Sequence, residues 1–177
     1  LGFVPVPIPN NLVNISESHE SQPRLEDWLS SVGIDFILLS GGNDIGFCVK
    51  RDLTESFLLF WANKMNKPLL GICRGMQMMG VFAGSKLEKL EGHVNVYHRI
   101  KSRIINEILP EKVNSYHNFA LNECPNEYSI LGTAEDGSIE AIKHSSNNWE
   151  GWMWHPEREE PYHTIDQERF ISMVKNA

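Results

Sequence analysis

Apolar positions along this chain switch between two periods. Leu25, Trp28, Leu29 and Val32 recur at i, i+3, i+4 and i+7, which predicts an amphipathic helix over 24–32 that Gly33 terminates. Ile34-Asp-Phe-Ile-Leu-Leu is a short apolar run of the kind found in buried parallel strands, and Ser40-Gly-Gly-Asn-Asp breaks it. Asp52, with Glu55 three residues on, reads as the N-cap of a second helix whose apolar side carries Phe57, Leu58, Phe60, Trp61 and Met65. The chain returns to strand over 67–72 and reads as helical over 76–83, with Gly84 as its cap. Before all of these, Leu1-Gly-Phe-Val-Pro-Val-Pro-Ile-Pro reads as a proline-rich strand.

The second half changes character. Segments around 93–105, 113–116, 128–134 and 138–143 are short and alternating, with turns at Asp136-Gly137 and Asn147-Asn148. An aromatic β-type run follows over 149–157, and Ile165, Phe170, Ile171 and Val174 mark a closing helix over 164–174. Strands that alternate with helices, followed by hairpins, predict an α/β fold. The expected architecture is one domain over 1–177, with a central mostly parallel sheet, helices on both faces and an antiparallel hairpin-rich insertion in the second half.

Composition narrows the function classes. The 177 residues, 41% of them hydrophobic, suffice for one full core. A net charge of -7, a pI near 5.5 and the absence of a Lys/Arg run argue against a nucleic acid polymer as partner. No apolar stretch reaches the ~18 to 20 residues that span a bilayer, so no membrane partner is expected. Cys48, Cys73 and Cys124 form no CxxC pair, and an odd count is a poor disulfide framework, which fits a reducing compartment, the cytoplasm. Seven histidines lie scattered without HExxH or a Cys/His ligand spacing, so the sequence predicts neither metal nor cofactor.

Candidate chemistry concentrates in two places. Gly71-Ile-Cys73-Arg-Gly75, between an apolar β run and a helical stretch, has the form of a nucleophile elbow. Such a sharp strand-to-helix turn holds its central side chain at the tip of the sheet, and small residues two before and two after keep the chain from colliding with itself. Cys73 occupies the tip, the following helix N-terminus favours negative charge, and the Arg74 amide is placed to donate to an oxyanion. The second place is His155-Pro156-Glu157. Proline biases the residue before it to extended backbone, where side chains at i and i+2 leave on one side, so His155 and Glu157 can act together. With Cys73 they would form a nucleophile, base and orienter. Gly41-Gly42, after the second strand, suits a further oxyanion donor at Gly42, and Gln77, one helical turn beyond Cys73, could reach a bound acyl donor. Trp149, Trp152 and Trp154 alternate as core aromatics do more often than as a ligand cradle.

Four blocks together resemble the class I glutamine amidotransferase-like superfamily, and within it the γ-glutamyl hydrolase branch that includes γ-glutamyl-γ-aminobutyrate hydrolases. They are Leu38-Leu-Ser-Gly-Gly-Asn-Asp-Ile-Gly, Gly71-Ile-Cys-Arg-Gly-Met-Gln, Val113-Asn-Ser-Tyr-His-Asn-Phe-Ala-Leu and Gly151-Trp-Met-Trp-His-Pro-Glu. The resemblance implies a flavodoxin-like fold and a Cys73, His155, Glu157 triad in which Cys73 attacks a glutamyl γ-carbonyl. It maps the oxyanion donors to Gly42 and Arg74, and the glutamyl pocket to Gly41, Gln77 and the backbone of Ser115, Tyr116 and His117. It also implies one more βα unit ahead of Leu1. Where the hydrolases carry Ser-x-His-His-Gln, this chain has Ser115-Tyr-His-Asn-Phe119. The implied partner is a small γ-glutamyl substrate, and a homodimer is compatible with it. Small amines, poly-γ-glutamates and nucleotide amidates all stay open as leaving groups, the last fitting a capsule-modification pathway. A glutaminase serving a synthetase partner, and an inactive binding relative, are the competing functions.

Overall fold

The computed structural model describes residues 2–175. In chain order the elements are α1 (Pro23–Val32), β1 (Ile37–Leu39), α2 (Val49–Lys64), β2 (Leu69–Ile72), α3 (Arg74–Phe82), β3 (Leu87–Lys89) and β4 (Val94–Arg99). There follow β5 (Lys101–Ser102), β6 (Lys112–Tyr116), β7 (Phe119–Leu121), β8 (Tyr128–Thr133), β9 (Ile139–His144), β10 (Trp149–Trp152) and α4 (Thr164–Lys175). The periodic segments of the first half become the expected elements. Leu25 and Leu29 of α1 are fully buried, and Gly33 closes that helix in the left-handed conformation at φ +71°.

A six-stranded sheet in the order β1-β2-β10-β9-β8-β5 forms the centre. The α/β architecture is as expected, but its parallel part is confined to β1, β2 and β10. The hairpins expected as an insertion do not all stand apart: β9, β8 and β5 add antiparallel to the same sheet, while β4/β6 and β3/β7 form separate two-stranded ribbons. Short connections decide this, because β8 and β9 are joined by a tight turn at Asp136-Gly137, with Gly137 at φ +93°.

Helices cover both faces, as the side chains of β10 record. Gly151 lies against Met76 of α3, whereas the neighbouring Glu150 points the other way and binds Arg169 of α4 through two bonds of 2.6 and 2.9 Å. Trp152 Nε1 donates to the same carboxylate at 3.0 Å, so this buried charge is fully partnered. Trp149, Trp152 and Trp154 are all buried, and Trp152 stacks on Trp154 at 5.5 Å, which makes them core as expected.

Two local expectations fail. Residues 2–9 form no strand, because Pro5, Pro7 and Pro9 remove amide donors at alternate positions and leave nothing to build a ladder with. Asp52 is not an N-cap: α2 starts at Val49, and Asp52 sits inside its first turn. Its carboxylate accepts from the Gly46 amide at 2.9 Å and pairs with Arg74, so tertiary partners outweigh the capping role. Among the described residues no helix is long and apolar enough to cross a membrane.

Candidate active site

Cys73 joins β2 to α3 at φ +50° and ψ -104°, a strained conformation for a side-chain-bearing residue. The flanking glycines are required by space. A Cβ on Gly71 would come within 2.6 Å of the Gly75 carbonyl carbon, and one on Gly75 would collide with the Leu39 carbonyl of β1. The Cys73 amide donates to Trp152 O at 2.7 Å, tying the elbow to the end of β10. Burial pushes the Cys73 thiol up to about 11, against the pull of the Arg74 backbone amide on the sulfur and of the Arg158 charge. The resting sulfur is therefore a neutral thiol that needs a base.

His155 leaves the end of β10, the neighbour of β2 on one side, while Gly41 follows β1, the neighbour on the other. The imidazole packs so closely on Gly41 that a Cβ there would lie 2.6 Å from its Cε1. A ring that starts beyond β10 and rests beyond β1 reaches across the end of β2, the strand that Cys73 closes. His155 Nδ1 meets Glu157 Oε1 at 2.6 Å. This contact arises otherwise than by extended backbone: Pro156–Arg158 is a 3-10 turn, and its curl brings the two side chains together. Burial alone would raise the Glu157 carboxyl, but the bond and charge of His155, a backbone amide and the Arg158 charge together outweigh it and hold the group below the usual carboxylate range. With Nδ1 committed to this carboxylate, Nε2 is the nitrogen free for proton transfer.

The loop after β1 is held by a residue the sequence did not single out. Arg51 of α2 donates to the carbonyls of Ser40 at 2.8 Å and Gly41 at 3.0 Å. A trans peptide points its N–H opposite to its C=O, so fixing the Gly41 carbonyl on Arg51 turns the Gly42 amide to the other side. Gly42 adopts φ +152°, and any Cβ there would strike the Arg51 guanidinium. Arg51 also bonds Glu55 at 2.7 Å, and Glu55 with Asp52 pairs the buried Arg74 side chain. Arg74 thus offers its backbone to the sulfur while its charge is neutralised behind the elbow.

The remaining candidates divide. On β6, Asn114 and Tyr116 face His155: Asn114 bonds its main chain, and the Tyr116 ring meets the imidazole edge to face at 5.9 Å with the Arg158 guanidinium 4.2 Å above it. Ser115 turns away and donates to His93 O at 2.8 Å, and the His117 amide is likewise bonded to His93 O at 3.0 Å. His117 places its ring in a buried group with His93 and Glu140, so neither side chain joins Cys73. Gln77 donates to Phe119 O at 2.8 Å and stands on the wall of a cleft of about 410 Å³, together with Asp44, Ile45, Lys86 and Phe119. Sequence spacing gave no metal pattern, yet folding brings His93, His117 and Glu140 within 4.8 Å of one another. Nothing in the sequence sets Asn114 apart from its neighbours in the segment 113–121. Arg51 carried only the weak signal of its i, i+4 spacing to Glu55.

A cysteine elbow and a histidine–carboxylate pair at the carboxyl ends of adjacent parallel strands define a class I glutamine amidotransferase-like domain. Residues 18–157 match the Peptidase C26 family, and the chain belongs to it. It is similar to the γ-glutamyl-CDP-amidate hydrolase of Campylobacter jejuni, with 36% identity over 151 residues that cover 80% of this chain and 72% of that protein. A glutamine-hydrolyzing GMP synthase component of Thermococcus kodakarensis is 31% identical over 140 residues, 73% of this chain and 70% of its own length. Among solved structures, a glutamine amidotransferase from Thermotoga maritima superposes with a TM-score of 0.61 at 16% identity, covering 86% of this chain and 76% of that one, which speaks to the fold alone.

Proposed function

We propose that this chain hydrolyses a γ-glutamyl amide bond through a γ-glutamyl thioester on Cys73. The observation that carries this reading is the His155 imidazole, held by Glu157 through Nδ1 and lying across the strand end that bears the thiol. Cys73 Sγ attacks the γ-carbonyl and its proton passes to His155 Nε2. The amides of Arg74 and Gly42 bind the tetrahedral oxyanion. Collapse of that intermediate breaks the C–N bond as His155 returns the proton to the leaving nitrogen. Water, deprotonated by His155, then cleaves the thioester and releases glutamate with the free thiol. Gln77 and the cleft beside it take part of the substrate, whose expected size suits about 410 Å³.

Family membership and the hydrolase from Campylobacter jejuni support γ-glutamyl amide hydrolysis, and that relative directs the choice of leaving group toward a nucleotide amidate. On this reading the enzyme acts in the cytoplasm on a small molecule, as a single domain, and a capsule-modification pathway would use it. The similarity to the GMP synthase component supports a second reading, a glutaminase that supplies ammonia to a synthetase. The test is glutamate release from a panel of γ-glutamyl amines, glutamine and γ-glutamyl nucleotide amidates by the isolated chain. Turnover of a non-glutamine substrate without a partner, with γ-glutamyl hydroxamate formed when hydroxylamine intercepts the thioester, is the expected result. Cys73→Ser with activity within about tenfold of the parent would remove the thioester.

A further inference from the structure

The buried group around Glu140 is outside the chemistry just described, and its atoms do not satisfy one another. Glu140 is fully buried on β9, His93 lies just ahead of β4, and His117 lies in the turn between β6 and β7. The outer nitrogen of each ring is committed at ordinary hydrogen-bond length: His93 Nε2 to Asp136 Oδ2 at 2.8 Å, and His117 Nδ1 to Phe119 O at 3.0 Å. A carbonyl can only accept, so Nδ1 of His117 carries the hydrogen and Nε2 presents a lone pair; Asp136, as a carboxylate, imposes the mirror arrangement on His93. The inner atoms, His93 Nδ1, His117 Nε2 and Glu140 Oε2, are buried without hydrogen-bond partners. Two imidazole lone pairs buried against one carboxylate, with no donor among the three groups, call for a cation between them.

The distances say which kind. His93 Nδ1 and His117 Nε2 stand 3.5 and 3.4 Å from Glu140 Oε1, longer than the ~2.7–2.9 Å of a charge-assisted N–H···O bond. Tetrahedral ligands held about 2.0–2.1 Å from a zinc ion lie about 3.4 Å apart, which is the spacing of both imidazole nitrogens from Glu140 Oε1, and all three ligand atoms lie within 4.8 Å of one another. The outer contacts also match those of metal-bound imidazoles, one ring backed by a carboxylate and the other by a main-chain carbonyl. We propose that His93, His117 and Glu140 form a buried binding site for a divalent transition-metal ion of the zinc class, with two nitrogens and one carboxylate as ligands. The ion fastens the β4/β6 ribbon to β9 of the central sheet. It also reaches the candidate cleft, since Phe119 O receives both His117 and Gln77. Its role is to position these strands, and no step of hydrolysis passes through it.

The test uses the whole chain, stripped with a chelator, reloaded with zinc or cobalt(II), desalted and analysed for metal by mass spectrometry. Retention of about one ion per chain, with a rise in melting temperature on reloading, is expected. The cobalt form should show tetrahedral d–d bands without a thiolate charge-transfer band, which separates this site from Cys73. His117→Asn and Glu140→Gln should weaken binding by at least about tenfold. Should either variant fail to fold, stoichiometry and spectrum of the parent decide alone. Reloaded parent that keeps less than about 0.1 ion per chain would overturn the site and leave a proton-sharing histidine network in its place. Variants that retain as much metal as the parent would overturn it equally.

Discussion

The side-chain amide of Asn114 grips His155 by both of its main-chain groups: Oδ1 accepts from the His155 amide at 2.9 Å, and Nδ2 donates to the His155 carbonyl at 2.8 Å. His155, three residues past the end of β10, has no strand partner of its own there, so a side chain from β6 completes its backbone bonding. Asn114 Nδ2 also reaches Glu159 at 2.6 Å, which extends the grip past the 3-10 turn that carries Glu157.

Asn114→Ala should therefore act on orientation more than on binding. The expected result is a fall in kcat of about 10- to 100-fold with KM changed far less, because a misplaced imidazole weakens the transition state. Steady-state kinetics on the best γ-glutamyl substrate tests this, and a kcat within about twofold of the parent would show that the clamp does not position the base.

Burial raises the Cys73 thiol to about 11, so its thiolate fraction should still be growing at high pH. Labelling of the Cys73 peptide by iodoacetamide, followed by mass spectrometry, should accelerate through about pH 10 rather than level off near the ordinary thiol range of about 8.5. A plateau below about pH 8 would mean that the resting group is already a thiolate stabilised by its surroundings.

The Arg74 side chain is almost entirely buried between Glu55 and Asp52. Arg74→Met leaves those carboxylates with one guanidinium fewer behind the elbow, and unfolding by urea should record a loss of about 3 kcal/mol. Arg51 still faces Glu55, which places the cost at the lower end for a broken buried pair. A loss below about 1 kcal/mol would indicate that water replaces the missing charge.

Asp166, near the start of α4, is raised to about 6, chiefly by burial, although Trp154 Nε1 donates to it at 3.3 Å. A carboxyl raised on folding supports the native state fully below its unfolded value near 3.8, and this support is lost as pH rises through about 6. Asp166→Asn keeps an acceptor for Trp154 without the charge. Its stability should exceed that of the parent by about 3 kcal/mol above pH 6 and converge with it below about pH 4. A gain that does not change with pH would show that ionisation of Asp166 has no part in it.

Much of this protein is legible along the chain because local rules act over a few residues. The period of Leu25, Trp28 and Leu29 gives α1, the wholly apolar β2 run gives a central strand, and glycines on either side of Cys73 announce a turn in which a Cβ would collide. The pairing of His155 with Glu157 was also visible, although a 3-10 turn produces it and extended backbone does not. Tertiary structure alone decided where the antiparallel strands go. Register and sheet choice depend on partners far along the chain, so β9 joins β10 while β6 joins β4. It alone turned Asp52 from a cap into a partner of Arg74, set Arg51 on the Gly41 carbonyl, and drew His93, His117 and Glu140 into one buried group. Charged and polar side chains find such partners only after the core has fixed which loops are neighbours, and no spacing in a linear sequence carries that information.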